Sequence, residues 1–234
     1  MKEVVSDNLI KSAILMERAT NYHLWCYDEF KHLIRGDVLE VGCGIGCYTP
    51  LIAAHEWCES LLSIDLSAEA VDYAQRVNVS PKVAFRAIDL MNIDGAFDSI
   101  ICMNVMEHVN DDSAFLAKLF SVLKPGGVLF LLVPSHQWLY SKYDVTTGHF
   151  RRYTKASMSR FALPPNIEQI AQYYFNWVGA LGWFFVFKLL KRNPSKNLEG
   201  DIGFFNRLIP FIKCFSPRWM PLGLSVITVF QKIK

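Results

Sequence analysis

The chain has 234 residues, 52% of them apolar and 20% charged, with a formal net charge of +2. That length suffices for one large α/β domain with elaborations, and a charge this close to neutral offers no bulk attraction to nucleic acid. The opening Met-Lys-Glu-Val-Val-Ser-Asp has no apolar signal core, so a cytoplasmic location is expected, and six cysteines without zinc-finger spacing read as reduced thiols.

Ser6 to Arg18 carries an apolar face of Leu9, Ile10, Ala13, Ile14 and Met16 and predicts a helix capped by Ser6 or Asp7. A second helix is expected over about Tyr22 to Ile34. Its Tyr22, Trp25, Tyr27 and Phe30 serve either as core packing or as a flap over a ligand, and residues 1–35 are set apart as an N-terminal helical flap. Val38, Leu39 and Val41 then form a short buried strand that runs into Gly42-Cys43-Gly44-Ile45-Gly46, followed by the start of a helix at Tyr48 to Ala54. A strand, a bare turn and a helix N-terminus make a nucleotide-type site at the end of a parallel strand. The glycine spacing is tighter than the dinucleotide fingerprint. Glu40, two residues before Gly42, would repel a pyrophosphate and suits a ligand with a cationic amino-acid end.

Leu61 to Asp65 is a second strand, its terminal acid 19 residues beyond Gly46 and able to accept both ribose hydroxyls. Ser67 to Val77 predicts a capped helix. Val83 to Asp89 and Phe97 to Met103 predict strands, and Asp111 to Leu123 a helix. Lys124-Pro125-Gly126-Gly127 predicts a turn, and Val128 to Val133, apolar throughout, a central buried strand. With Ile167 to Tyr174 and a last edge strand at Ser225 to Ile233, the pattern is a Rossmann-like α/β fold: a doubly wound, mostly parallel sheet of seven strands with helices on both faces. Residues 135–165 and 175–222 break the rhythm and read as insertions that build an α-rich apolar cap on a domain spanning 36–234. Gln169 to Phe187 runs 19 residues without a charge. Gln169, Gln172 and Asn176 interrupt it, so it reads as a cap over the substrate site, or as an interfacial helix giving peripheral membrane contact through 175–192.

The ordered series Glu40-Val-Gly-Cys-Gly-Ile-Gly46, Asp65, Asp89, Phe97-Asp98, Glu107-His108 and Leu123-Lys-Pro-Gly-Gly127 resembles the class I S-adenosyl-L-methionine-dependent methyltransferases, strongly over residues 36–134. The resemblance implies roles. Glu40 belongs to the motif that holds the methionine end, with Gly42, Cys43 and Gly44 lying along the cofactor. Asp65 takes the ribose hydroxyls and Leu66 flanks the adenine. Asp89 accepts from the adenine amine with Leu90 as neighbour, and Asn104 sits beside the sulfonium. The cofactor's ammonium, hydroxyls and amine are donors, and the three strand-end carboxylates are matching acceptors. Downstream, Tyr143-Asp144…Gly148-His149-Phe150-Arg151-Arg152-Tyr153 resembles a bacterial methyltransferase group associated with glycan or secondary-metabolite assembly.

Methyl transfer is an in-line displacement at an activated carbon, so the protein mainly aligns the acceptor, excludes water and takes a proton. His108, after the fourth strand, is the first candidate base. His149 is the second, with Asp144, Tyr143 and Tyr153 to orient it or touch substrate. Arg151 is a catalytic candidate that could clamp an acceptor carboxylate or phosphate, and Arg152 a substrate-binding one; being adjacent, at most one is expected to face the substrate. Tyr22 and Trp25 complete the expected substrate set. Glu107, His108 and His149 invite a metal. Related metal-binding methyltransferases place an acid where Asn104 stands, however, and an amide is a weaker ligand, so no metal is expected. The expected reaction is methylation of a small molecule at a hydroxyl or carboxylate oxygen, with nitrogen second. Alternatives are a lipid- or glycan-linked acceptor at a membrane surface and a non-catalytic cofactor-binding module. A nucleotide-linked oxidoreductase would not want Glu40. A nucleic-acid methyltransferase would need a wider basic face than Arg151, Arg152, Lys155 and Arg160 supply.

Overall fold

In a computed structural model of the chain, residues 18–190 and 198–233 are described. The helix expected over Ser6 to Arg18 lies outside them except for Arg18. Alternating apolar residues build one sheet with two buried faces: Leu39, Ile100, Leu129, Leu131 and Val226 enter one cluster, and Val38, Ile101, Phe130, Leu132 and Ile227 the other. The strands are β1 (Gly36–Val41), β2 (Cys58–Asp65), β3 (Val83–Ala87), β4 (Phe97–Met103), β5 (Leu123–Pro134), β6 (Ile167–Phe175) and β7 (Ser225–Lys232), in the order β3-β2-β1-β4-β5-β7-β6. Neighbours from β3 through β5 pair in parallel, and β7 runs antiparallel to both β5 and β6.

The helices are α1 (Thr20–Phe30), α2 (Thr49–Ala53), α3 (Ala68–Val77), α4 (Asp112–Ser121), α5 (Lys142–Thr147), α6 (Lys155–Met158), α7 (Trp177–Trp183) and α8 (Leu198–Cys214). α3 begins at Ser67, whose hydroxyl accepts from the Ala70 N–H, and α4 at Asp111, which accepts from the Ala114 N–H. α1, α2 and α8 cover one face of the sheet through Phe30, Ile52 and Ile209; α4 covers the other through Leu116 and Leu119. α7 continues into a wider helical turn, Phe184–Leu189, and packs against α5 where Trp183 meets Tyr143 at 5.1 Å.

Two expectations need correction. Ser225 to Ile233 is not an edge strand: β7 sits between β5 and β6, and Ser225 through Phe230 are all buried. Val226, Ile227, Val229 and Phe230 are a near-continuous apolar run, the mark of a strand covered on both sides. β6 takes the edge, with Glu168, Gln169 and Ile170 exposed. The turn at Lys124 to Gly127 is instead a bulge inside β5, where Gly126 has φ +81° and the β4 register shifts. Lys124 there bridges Asp37 and Asp98 at 2.7 Å each, tying the starts of β1, β4 and β5 together.

Candidate active site

The strand order reverses between β1 and β4, and the ends of these strands open onto one cavity of about 380 Å³. This is the switch point at which open parallel sheets take ligands. The turn after β1 forms its floor. Gly42 (φ +75°) carries no side chain because a Cβ there would overlap Val105. Gly44 (φ +52°) is bare for another reason: a Cβ would meet nothing within 4 Å and would stand in the open cleft. Cys43 lines the cavity from the same turn.

Glu40, almost fully buried on β1, also lines the cavity. Its Oε2 accepts from Thr49 Oγ1 at 2.6 Å and Ser63 Oγ at 2.7 Å. Burial pushes its carboxyl up to about 7, against the pull of those hydroxyls. Asp65 stands outside the closed part of the cavity and accepts the Gly44 N–H at 2.8 Å and the Ser67 N–H at 2.9 Å, one on each oxygen. Asp89 caps the single turn Leu90–Asn92 through the Met91 N–H. Leu66 is 75% exposed at this shoulder, whereas Leu90 is turned into the core and presents no side chain to a ligand. Asn104, with φ +53° at the end of β4, lines the cavity wall.

The far wall comes from the cap. Ser141 and Asp144 form a capping box that starts α5, and Gly148 ends α5 in a left-handed turn that returns the chain to the sheet. Asp144 is fully buried. It accepts His149 Nδ1 at 2.8 Å, Arg152 Nε at 2.7 Å and Nη2 at 3.1 Å, and the Ser141 N–H at 2.8 Å. Burial alone would raise its carboxyl; the His149 and Arg152 bonds and the guanidinium charge win and hold it at about 2. His149 therefore gives one ring nitrogen to Asp144 and turns Nε2 toward Glu107 Oε1, 4.0 Å away. His108 packs edge-on against His149 at 4.6 Å, and burial lowers it to about 4, so the ring is neutral. Both histidines line the cavity with Glu107, Tyr143 and Arg152.

Other expected site residues fall elsewhere. Arg151 does not line the cavity: it is partly exposed, pairs with Asp112 at 2.7 Å and donates to the Asn110 carbonyl. Arg152 takes the inward side, but its charge is engaged by Asp144 and it lies over Trp183 at 4.8 Å. Trp25 is core, packed on Phe175 at 4.4 Å, because α1 presents it to the sheet; Tyr22, three residues earlier, does reach the cavity. Tyr153 is also core, donating to Asp112 and the Met106 carbonyl. The sequence reading did not pick out His23, Tyr48, Thr147 or Trp183, which also line the cavity. The aromatic cluster before β1 signalled the first of them.

Residues 39–131 match the family described as "Methyltransferase domain". The matched segment runs from β1 into β5 and includes the glycine turn. Among curated relatives, it is 36% identical over 100 residues to the ubiquinone biosynthesis O-methyltransferase of Xanthomonas campestris pv. campestris strain B100, covering 40% of this chain and 41% of that one. It is 31% identical over 108 residues to the norajmaline N-methyltransferase of Rauvolfia serpentina, covering 43% and 37%. These matches thus span less than half the length of the relatives. Across the whole chain, the fold is that of the plantazolicin methyltransferase BpumL, solved with SAH, at TM-score 0.60 and 14% identity, covering 100% of this chain and 90% of that one. Coclaurine N-methyltransferase aligns at TM-score 0.61 and 16% identity, covering 91% and 72%. Among the described residues, no helix is long and apolar enough to cross a membrane.

Proposed function

We propose that this chain is an S-adenosyl-L-methionine-dependent methyltransferase acting on a small molecule, at oxygen before nitrogen. One observation carries the reading: a single cavity joins the glycine turn and Glu40 at one end to an imidazole oriented by a carboxylate at the other. Glu40 meets the cofactor's ammonium, and binding a cation there draws its carboxyl back to the ionised form. The backbone of Gly42 to Gly44 lies along the cofactor. Asp65 has lone pairs left for the ribose hydroxyls beyond its two backbone bonds.

The acceptor lies between Asn104 and the cap. Held by Glu40 and the backbone of Gly42 to Gly44, the cofactor would supply an activated methyl carbon to the acceptor's oxygen, with S-adenosyl-L-homocysteine as the other product. His149 is held with Nδ1 on Asp144, so the Nε2 lone pair faces the cavity and can take the acceptor's proton. His108 supports it by packing. The test is transfer of labelled methyl to a panel of phenols, carboxylates and amines. Turnover confined to hydroxyl or carboxylate acceptors supports the reading, turnover confined to amines reverses the order of oxygen and nitrogen, and none contradicts it.

A second reading is favoured by α8. Phe205, Ile209 and Ile212 face the sheet, while Phe204, Leu208 and Phe211, with Phe215 just beyond the helix, form another apolar row that faces out. Three of these are about 70% exposed, and Arg207 is exposed beside them. Such a face suits an acceptor carried at a lipid surface. Co-sedimentation with anionic vesicles, lost in Phe211→Glu, would support that reading; no sedimentation would remove it.

A further inference from the structure

The acceptor end of the cavity holds a group that methyl transfer alone does not explain. Glu107 is completely buried, and neither of its carboxylate oxygens has a hydrogen-bond partner among the described residues. A buried carboxylate left in this way is costly, and it is met in folded proteins where a ligand completes it. Two imidazoles face it. One ligand atom each from Glu107, His108 and His149 lies within 4.8 Å of the others.

On His149 the other ring nitrogen is already committed: Nδ1 is bonded to Asp144 at 2.8 Å. That is how metal-ligating histidines are held: the outer nitrogen donates to a carboxylate or a carbonyl, which fixes the tautomer and aims the inner lone pair. The arrangement also rests on the fold. The Phe150 N–H donates to the Glu107 carbonyl at 2.8 Å, and Tyr140 donates to the His149 carbonyl at 2.6 Å, so the cap segment is clamped onto the end of β4.

We propose that Glu107, His108 and His149 form a binding site for a divalent transition cation of the zinc class, with its open positions toward the methyl acceptor. Two imidazoles and one carboxylate on one side of the ion are a donor set such cations take, leaving room for exogenous oxygen. The third ligand comes from the cap, so the amide at Asn104 is no obstacle. The proposal rests on the methyltransferase reading and deepens it: the acceptor would be a hydroxyl compound, a phenol above all, whose oxygen binds the cation. Its proton is lost to solvent on binding, and the oxygen's electron pair then forms the new carbon–oxygen bond as the carbon–sulfur pair returns to sulfur. In that state His149 is a ligand, and the cation makes the hydroxyl acidic.

The test uses the full chain after dialysis against chelator. Co²⁺ is titrated in as a visible-absorbing probe and Zn²⁺ by calorimetry, for the wild type, Glu107→Gln and His149→Ala. S-adenosyl-L-homocysteine affinity is measured on the same samples as the check on folding. The expected result is one equivalent of cation in the wild type, bound at least about tenfold more weakly in each variant, with homocysteine-adduct affinity unchanged. Absence of saturable binding overturns the site, and so does equal binding in all three proteins. Saturable binding of methylamine but of neither cation also overturns it, and gives the pocket to an amine acceptor. Cation binding without adduct binding would leave the site standing and remove the methyltransferase reading.

Discussion

Arg151 and Arg152 are neighbours in sequence with opposite fates, and replacing each by Met separates them. The Arg152 side chain is 2% exposed, and it gives two hydrogen bonds to an Asp144 that is fully buried. Removing one partner of such a pair leaves the other as an uncompensated buried charge, at a cost of about 3–5 kcal/mol. Asp144 keeps its bonds from His149 and Ser141, which places Arg152→Met toward the lower end of that range. For a domain of this size the change lowers Tm by roughly 10 °C. The Arg151 side chain is 31% exposed, and its pairing with Asp112 is screened by water, so Arg151→Met costs about 1 kcal/mol or less. Urea denaturation of both variants beside the wild type reads the two numbers. Equal costs, or a larger cost at Arg151, would refute the assignment of the inward side to Arg152 and the account of how His149 is held.

Other consequences of the site are separable. Asp144 is held at about 2 against an ordinary 3.8, so its contribution is present above pH 4 and is lost as the pH falls toward 2. The wild type should lose about 2 kcal/mol over that window that the double variant Asp144→Asn/Arg152→Met does not lose, as read from stability against pH. Gly44→Ala places a methyl in the open cleft at positive φ. It should cost only about 1–2 kcal/mol of stability but weaken S-adenosyl-L-homocysteine binding at least about tenfold by calorimetry. Gly42→Ala overlaps Val105 and should lose folded protein instead, visible as a lowered Tm. His149→Ala should lower kcat by about 10²–10⁴ while leaving adduct affinity within about threefold.

The first five strands were legible because each is a short apolar run closed by a turn or an acid, and the parallel order follows from the alternation with helices. The glycine-turn end of the cavity was legible for the same reason: Glu40, Gly42 to Gly44 and Asn104 sit where strands end. The cap half was legible only locally. Asp144, His149 and Arg152 are close in sequence, and the capping box Ser141-x-x-Asp144 marks the helix that gathers them. Nothing local says that His149 meets Glu107; that depends on the Phe150 N–H reaching a carbonyl 43 residues away. Trp25 and Tyr153 show the limit of residue type: an aromatic reads alike on a core face and a ligand face until the helix or strand is rotated into place. β7 was misplaced because two-sided burial and edge alternation differ by only a few polar positions, and here Thr228 is buried in the sheet.

The central claim is that the glycine turn and its acids bind an adenosyl amino acid rather than a dinucleotide. Calorimetric titration with S-adenosyl-L-homocysteine, with NADH as the control and Asp65→Ala beside the wild type, tests it most directly. The account predicts one-to-one binding of the adduct, weakened at least about tenfold in Asp65→Ala, and no heat from NADH. No binding of the adduct, or tighter binding of NADH, would contradict it.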